Sequence, residues 1–352
     1  MRRPATEPRS TGDASWPLSK GGPLGFAASP LAGSGTPGPG RSPRPRGTSA
    51  PGIVQIRVSR LPRTTPCPNL VSARLVKLQI VHRTHYTYAG PVRESFNEVR
   101  LKPVSNEHQR CDAFVLKILP ATRLRHYEDF YANCVHHFEI PEHHASLSIE
   151  ADCTVVTNRA NWLDPAATPF PLARVAECAR MERCFDYLQP SSYVELGPEV
   201  WRLALDIAAG HTDLWQAAQA LMHWVHANFV YAPRSTNAHT RMTEALARRT
   251  GVCQDFAHVL IGLCRAIQIP ALYVSGYFYT PNSDATHAWV EVFIPDVGWR
   301  ALDPTHDCQP DERYVKIAVG RDYADVPPTR GHYKGTQERR MEIAVRIHEI
   351  TG

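Results

Sequence analysis

Between residue 76 and the C-terminus the apolar residues change their spacing twice, and that order limits the fold more than any single motif does. Residues 76–158 hold short runs of β-branched and aromatic residues closed by turn formers. Leu78 to Tyr88 stops at Ala89-Gly90-Pro91, Ala113 to Leu119 stops at Pro120, and Asn133–Ile140 and Ala145–Thr157 supply two more. Runs of this kind predict a small antiparallel sheet or sandwich. Pro165, Pro169 and Pro171 then mark a linker. Residues 198–268 change to a helical period. Pro198 and Glu199 open a helix that runs to about Ala209. Thr212 is expected to cap the next, with Asp213 in its first turn, and Leu214, Ala218, Leu221 and Val225 form one buried stripe. A third helix follows Gly251, carries Phe256, Leu260, Leu263 and Ile267 on one face, and ends at Pro270. Strands return at Ala271–Tyr279, Thr286–Ile294 and Gly298–Asp303, with Met341–Ile350 as a last one. Helices followed by strands, without βαβ alternation, predict an α+β fold.

The charge is unevenly distributed. Residues 1–75 hold 11 Lys/Arg against 2 Asp/Glu, a balance of +9; the rest holds 28 against 32, a balance of −4. Residues 1–74 also carry 13 of the 30 prolines with many Gly, Ser and Thr. Such a segment cannot bury enough apolar surface to offset its ordering entropy, so 1–75 is expected to be a disordered, dispensable extension. Three parts follow: this extension, a β-rich domain at 76–160, and a second domain at 161–352. The mildly acidic body is not expected to bind nucleic acid. No apolar stretch reaches 18 residues, so no membrane association is expected. Pro4, Glu7 and Pro8 follow Arg2 and Arg3 where a signal peptide needs an apolar run. The nine scattered cysteines are expected to be mostly reduced, in a cytoplasmic setting. Oligomeric state has no signature in the sequence.

The candidate chemistry centres on Cys253, at the expected start of the third helix. Unpaired N–H groups and the positive end of the helix dipole favour a thiolate there. The same groups can hold an oxyanion, and Gly251 permits a tight corner. A thiolate needs a base nearby. His258 lies about 140° around the helix from Cys253, so His287, on a following strand, is the better candidate. Asp303, on the next strand, can orient that imidazole. A four-residue loop at 295–298 would pair Val290 with Asp303 and put Asp303 on the face opposite His287. A working site therefore requires an odd-length turn or a bulge near 295–299 or at Asp303-Pro304.

Other candidates have blander readings. Cys264 and Asp255 are expected to be structural. His82 and His85 are expected on a solvated strand face. Cys134, His136, His137, His143, His144 and Cys153 fit no zinc-finger spacing, and adjacent histidines on a strand face opposite ways, so no metal is expected. Trp224, Phe229 and Tyr231 are expected in the core or cleft wall. One of these, or a polar group in Ser235–Asn237, is a candidate oxyanion donor.

Four ordered motifs carry a resemblance. They are Gly251-Val-Cys-Gln-Asp-Phe-Ala-His258, Ile269 to Tyr277, Thr286-His-Ala-Trp-Val-Glu291 and Gly298-Trp-Arg-Ala-Leu-Asp-Pro-Thr305. Together they resemble the core of the bacterial transglutaminase-like superfamily, and 76–158 resembles the β-rich region that precedes it. The segment from Gly320 to Pro328 resembles the family's C-terminal region. The resemblance implies a papain-like transglutaminase core preceded by a small antiparallel β domain, with Cys253, His287 and Asp303 as catalytic triad and no cofactor. Family members often carry Asn after Asp-Pro-Thr; here His306 and Asp307 follow, which makes Asp307 a second carboxylate for the orienting role. The implied function is cysteine-dependent acyl transfer on a protein or peptide substrate, ending in hydrolysis or in transfer to an amine. The alternative is a binding or scaffold module that has kept the fold and lost the chemistry.

Overall fold

The computed structural model describes residues 75–158, 168–281, 285–336 and 338–350. The basic extension and most of the expected linker lie outside these.

The first half is organised by one strand. β1 spans Leu75–Val99. It does not stop at Ala89-Gly90-Pro91. Its register against a neighbour slips between Thr87 and Val92 instead, and such a bulge tolerates a proline with no N–H to give the ladder. Four antiparallel strands follow: β2 (Gln109–Leu119), β3 (Arg125–Glu128), β4 (Cys134–Ile140) and β5 (His144–Asn158). β1 pairs with β5 as far as Val92, and with β4 from Ser95 to Val99. The two layers thus share β1 and enclose Tyr86, Tyr88, Val92, Val99, Phe138 and Leu147 as a small core.

The helices form the second half with a four-stranded sheet. α1 (Pro198–Ala208) and α2 (Leu214–Asn228) precede two short parallel strands, β6 (Val230–Tyr231) and β7 (Thr250–Gly251). Between these lies α3 (Met242–Arg248), which has too few residues to show a period in the sequence. The cap of α2 is Asp213, whose side chain accepts from the Gln216 N–H at 3.0 Å, rather than Thr212. α4 (Cys253–Ala266) is buried along most of its length. At its far end the buried Arg265 guanidinium donates to the carbonyls of Gln189, Ala271 and Arg321. The sheet contains β8 (Ala271–Phe278), β9 (Thr286–Ile294), β10 (Gly298–Leu302) and β11 (Tyr314–Gly320), in the order β10-β9-β8-β11. No described helix is long and apolar enough to cross a membrane.

The chain then returns to its beginning. β12 (Thr329–Lys334) and β13 (Arg339–Glu349) both pair with β1. The expected boundary at residue 160 assigns these strands to the second domain, whereas their pairing puts them in the first sheet. They cover a β1 edge whose N–H and C=O groups would otherwise be open. The two halves also share a core. Val76, Leu78, Ile80, Val345 and Ile347 cluster with the inner faces of α4 and β8. His82, expected on a solvated face, is 1% exposed and hydrogen-bonds the Tyr277 hydroxyl at 2.9 Å. Burial lowers its pKa to about 4, so it is a neutral partner.

The β9–β10 hairpin decides which residues face the site. Gly298 pairs with Ile294, and Leu302 with Val290. The connection is therefore three residues, 295–297, with Asp296 at φ 66° and Gly298 at φ 90°. This odd length brings Asp303 onto the face of His287, as the sequence argument requires. Gly298 is thus expected to be sensitive. Gly298→Val should lower the unfolding free energy by about 1–2 kcal/mol in urea titration, because a β-branched residue is strained at positive φ.

Candidate active site

Three elements converge on the site. α4 begins at Cys253, half-buried, and its N-cap is Val252, which has no side-chain acceptor. The N–H groups of Cys253 and Gln254 therefore have no intrahelical acceptor and no capping side chain. The corner is held from behind by Asp255. Its carboxylate accepts from the Val252 N–H at 2.8 Å and from the Thr236 hydroxyl at 2.6 Å. A Cβ on Gly251 would come within 2.5 Å of the Asp255 Cβ, so only glycine lets the chain pass here. Burial raises the Asp255 pKa, opposed by these hydrogen bonds.

β9 presents His287, which is 8% exposed. Its Nε2 hydrogen-bonds Asp303 Oδ2 at 2.7 Å. Cys253 is near enough to act on the imidazole, and Nδ1 is the ring nitrogen that Asp303 leaves free to face a thiol. The sulfur, imidazole and carboxylate come together at one site.

Asp303 is 0% exposed, and a carboxylate cannot stay charged there without partners. It has five. Oδ2 accepts from His287, from His306 Nδ1 at 2.7 Å and from the Tyr314 hydroxyl at 2.7 Å. Oδ1 accepts from the N–H groups of Thr305 at 2.8 Å and His306 at 3.3 Å. Burial alone would raise the Asp303 pKa, but His287 and His306 hold it well below the usual carboxylate range. Burial likewise pulls His287 down, but the charge and hydrogen bond of Asp303, with Cys253 adding to them, raise it to about 10.

Asp307 does not share the orienting role, because its carboxylate bonds His223 of α2. His226, one turn further along α2, contacts the Thr305 carbonyl at 3.1 Å. Both fasten the loop that presents Asp303. His258 is fully buried, with Nε2 accepting from the Tyr323 N–H at 3.2 Å, and takes no part in this grouping. Cys264 is a core thiol whose pKa burial pushes to about 12. Phe229 packs in the core against Phe256, and Trp224 is half-buried beside it. Tyr231 is 41% exposed; its pKa is raised by burial and then by the charges of Cys253, Asp255 and Asp303. Ser235 donates to the Ala232 carbonyl, Thr236 to Asp255, and the Asn237 side-chain Oδ1 accepts from the His239 N–H, so all three build the loop.

Tyr314 and His306 have no local signature of a role at this site. Tyr314 lies on a strand absent from the sequence reading, eleven residues from Asp303. The ligand atoms of His287, Asp303 and His306 lie within 4.8 Å of one another. They could hold a metal only by giving up the hydrogen bonds that keep Asp303 charged, so the group is read as a hydrogen-bond array.

A helix-start thiol beside an imidazole that is held by a buried carboxylate, on an α+β core, is the arrangement of the transglutaminase-like class. Two family models match: the transglutaminase-like superfamily at residues 202–304 and the bacterial transglutaminase-like N-terminal region at 78–156. The chain belongs to the transglutaminase-like superfamily. An uncharacterised protein of Mycobacterium leprae is 33% identical over 283 residues, covering 78% of this chain and 99% of that relative. The protein-glutamine gamma-glutamyltransferase of Pseudomonas aeruginosa is 28% identical over 156 residues, covering 39% of this chain and 23% of the enzyme. A crystal structure described as a candidate cysteine protease from Cytophaga hutchinsonii superposes with a TM-score of 0.64 at 23% identity. It covers 79% of this chain and 92% of that one.

The pKa shifts set a stability profile. Below the unfolded histidine value of 6.5 both states hold the His287 proton, and its contribution is fully present. Between there and about 10 only the folded state holds it, so stability falls as pH rises. Asp303, depressed in the fold, contributes above its unfolded value of 3.8 and loses that contribution as pH falls. Urea titrations of the wild-type protein should therefore lose stability from pH 6.5 to 10, and His287→Gln should remove that part of the slope.

Proposed function

We propose that the protein is a cysteine-dependent acyl-transfer enzyme acting on peptide or carboxamide bonds, with Cys253 as nucleophile, His287 as general acid and base, and Asp303 as the residue that orients and charges His287. The observation that carries this reading is the His287 imidazole, hydrogen-bonded to the fully buried Asp303 and raised in proton affinity by both Asp303 and the neighbouring Cys253 at the start of α4.

The chemistry runs in two halves. The thiolate attacks the carbonyl carbon, and the C–S bond forms as the carbonyl electrons move onto oxygen. The N–H groups of Cys253 and Gln254 at the uncapped start of α4 are the available oxyanion donors, with Tyr231 a candidate for a further one. The tetrahedral species collapses, the C–N bond breaks, and the imidazolium gives its proton to the departing amine. A thioester remains. His287, now neutral, takes a proton from the acceptor as the acceptor attacks. The C–S bond breaks, and the thiolate and imidazolium are restored. Asp303 keeps the ring turned so that one nitrogen meets the sulfur, and it supports the positive charge that returns in each half.

The acceptor decides the name of the reaction. Water at about 55 M outcompetes an amine unless a closed site excludes it. Cys253 is only half-buried and Tyr231 is exposed, so the proposed outcome is hydrolysis, as a protease or amidase. The Pseudomonas relative's printed activity makes amine transfer the second reading. Intact-mass analysis of a glutamine-containing peptide incubated with the protein and a primary amine separates them. A fragment, or a gain of about 1 Da, indicates hydrolysis, whereas an amine adduct indicates transfer. Cys253→Ala should abolish either product, and Asp303→Asn should reduce kcat/KM about 10²–10⁴-fold. Unchanged turnover in Cys253→Ala would rule the proposal out.

A further inference from the structure

We propose that β13 is a dimerisation edge, through which two copies of the chain pair, strand to antiparallel strand, about a two-fold axis at Ala344. Among the described residues β13 pairs with β1 alone, so its far side is the open edge of a sheet that runs β2-β5-β1-β13. Its ladder with β1 continues from Leu78 and Glu349 to Tyr88 and Arg339 without a register shift. The opposite edge of that sheet, β2, is bent by a bulge between Cys111 and Ala113, and a bulge is one of the ways an edge is kept from pairing. β13 instead carries apolar side chains into the open: Met341 is 51% exposed and Ile343 is 55% exposed.

Main-chain bonds fix which residues can pair outward. The Ile350 N–H donates to the Lys77 carbonyl at 2.8 Å, and at the other end the Ala89 N–H donates to the Glu338 carbonyl at 3.1 Å. In an antiparallel ladder only alternate residues bond a given neighbour, so the even-numbered residues of β13 bond β1. The odd-numbered residues, Arg339 through Glu349, turn their N–H and C=O groups to the open edge. A second copy must therefore pair odd residues with odd, which puts the two-fold axis on a residue and not between two.

The side chains then choose the residue. With the axis at Ala344, Glu342 faces the partner's Arg346, Met341 the partner's Ile347, and Ile343 the partner's Val345. Opposite charges meet on one face of the sheet. On the other face, the exposed Met341 and Ile343 lie against side chains that are buried in their own subunit. Glu342 bonds Arg340 of its own strand at 2.7 Å, so the partner's Arg346 would bring it a second cation. Other registers lose this match. An axis at Glu342 or Arg346 sets like charges together, one at Ile343 sets Arg340 against Arg346, and one at Val345 sets Met341 against Glu349. The contact is isologous, and it joins the two sheets into one.

Sedimentation equilibrium of the full-length protein tests this. The expected result is twice the mass of the chain, falling to the mass of one chain on dilution. Ile343→Pro removes an outward N–H and no bond to β1, and should weaken the dimer about tenfold or more. Glu342→Arg should also weaken it, and adding Arg346→Glu should restore it. Under mild oxidation Ala344→Cys should give a disulfide-linked dimer, because Cα atoms paired at the axis lie about 4.5 Å apart. Arg340→Cys, far from the axis, should not. A monomer at every concentration, a dimer indifferent to Glu342→Arg, or one that Ala344→Cys does not link overturns the proposal. Circular dichroism of each variant distinguishes loss of the contact from loss of the fold. The Cys253 site is built from other elements, so failure here leaves the acyl-transfer reading untouched.

Discussion

The molecule depends on keeping one carboxylate charged where no water reaches it. Asp303 has no exposed surface, and an unpartnered charge in such a place would cost more than a small domain's whole stability. The fold supplies donors from three elements: His287 from β9, Tyr314 from β11, and the turn of Thr305 and His306 itself. Fixing that charge fixes the orientation of His287 and raises its proton affinity. The imidazole then stands as a charged partner beside the half-buried sulfur of Cys253. Much of the surrounding architecture serves this arrangement. α2 fastens the 305–307 loop through His223 and His226, and Asp255 fastens the corner below α4.

The β-rich half is more than an appendage to this core. β1 carries two hydrophobic groups along its length, one facing its own sandwich and the other joined to the helices and β8. β13 then returns across the molecule to pair with β1 from Leu78 to Tyr88. The two halves therefore share hydrogen bonds and buried surface, which predicts that they unfold together.

The gathering of Cys253, His287 and Asp303 at one site was legible in the sequence for a definite reason. A thiol at a helix start, a histidine and an aspartate on successive strands are each local statements, and their order along the chain fixes the assembly. The parity of the hairpin was also legible: His287 and Asp303 can share a face only across an odd-length connection, and the three-residue turn at 295–297 supplies it. What the sequence hid is mostly long-range. Tyr314 and His306 are identified by what they touch. β3 has no buried residue to mark it, so its pairing with β4 could not be foreseen. His82 looked like a residue on a solvated strand because nothing local announces that a second sheet lies over it. Ala89-Gly90-Pro91 looked like a stop because its turn chemistry is real, but here it serves a bulge.

The central claim is that His287 is an imidazolium at neutral pH because Asp303 holds it so. Nitrogen-15 NMR of histidine-labelled protein, with the His287 signals assigned by their loss in His287→Gln, reads this directly. The account predicts that both ring nitrogens carry protons at pH 7.5, and that Asp303→Asn returns the ring to a neutral tautomer. A neutral His287 in the wild-type protein at that pH, or a charged one that survives Asp303→Asn, would contradict it.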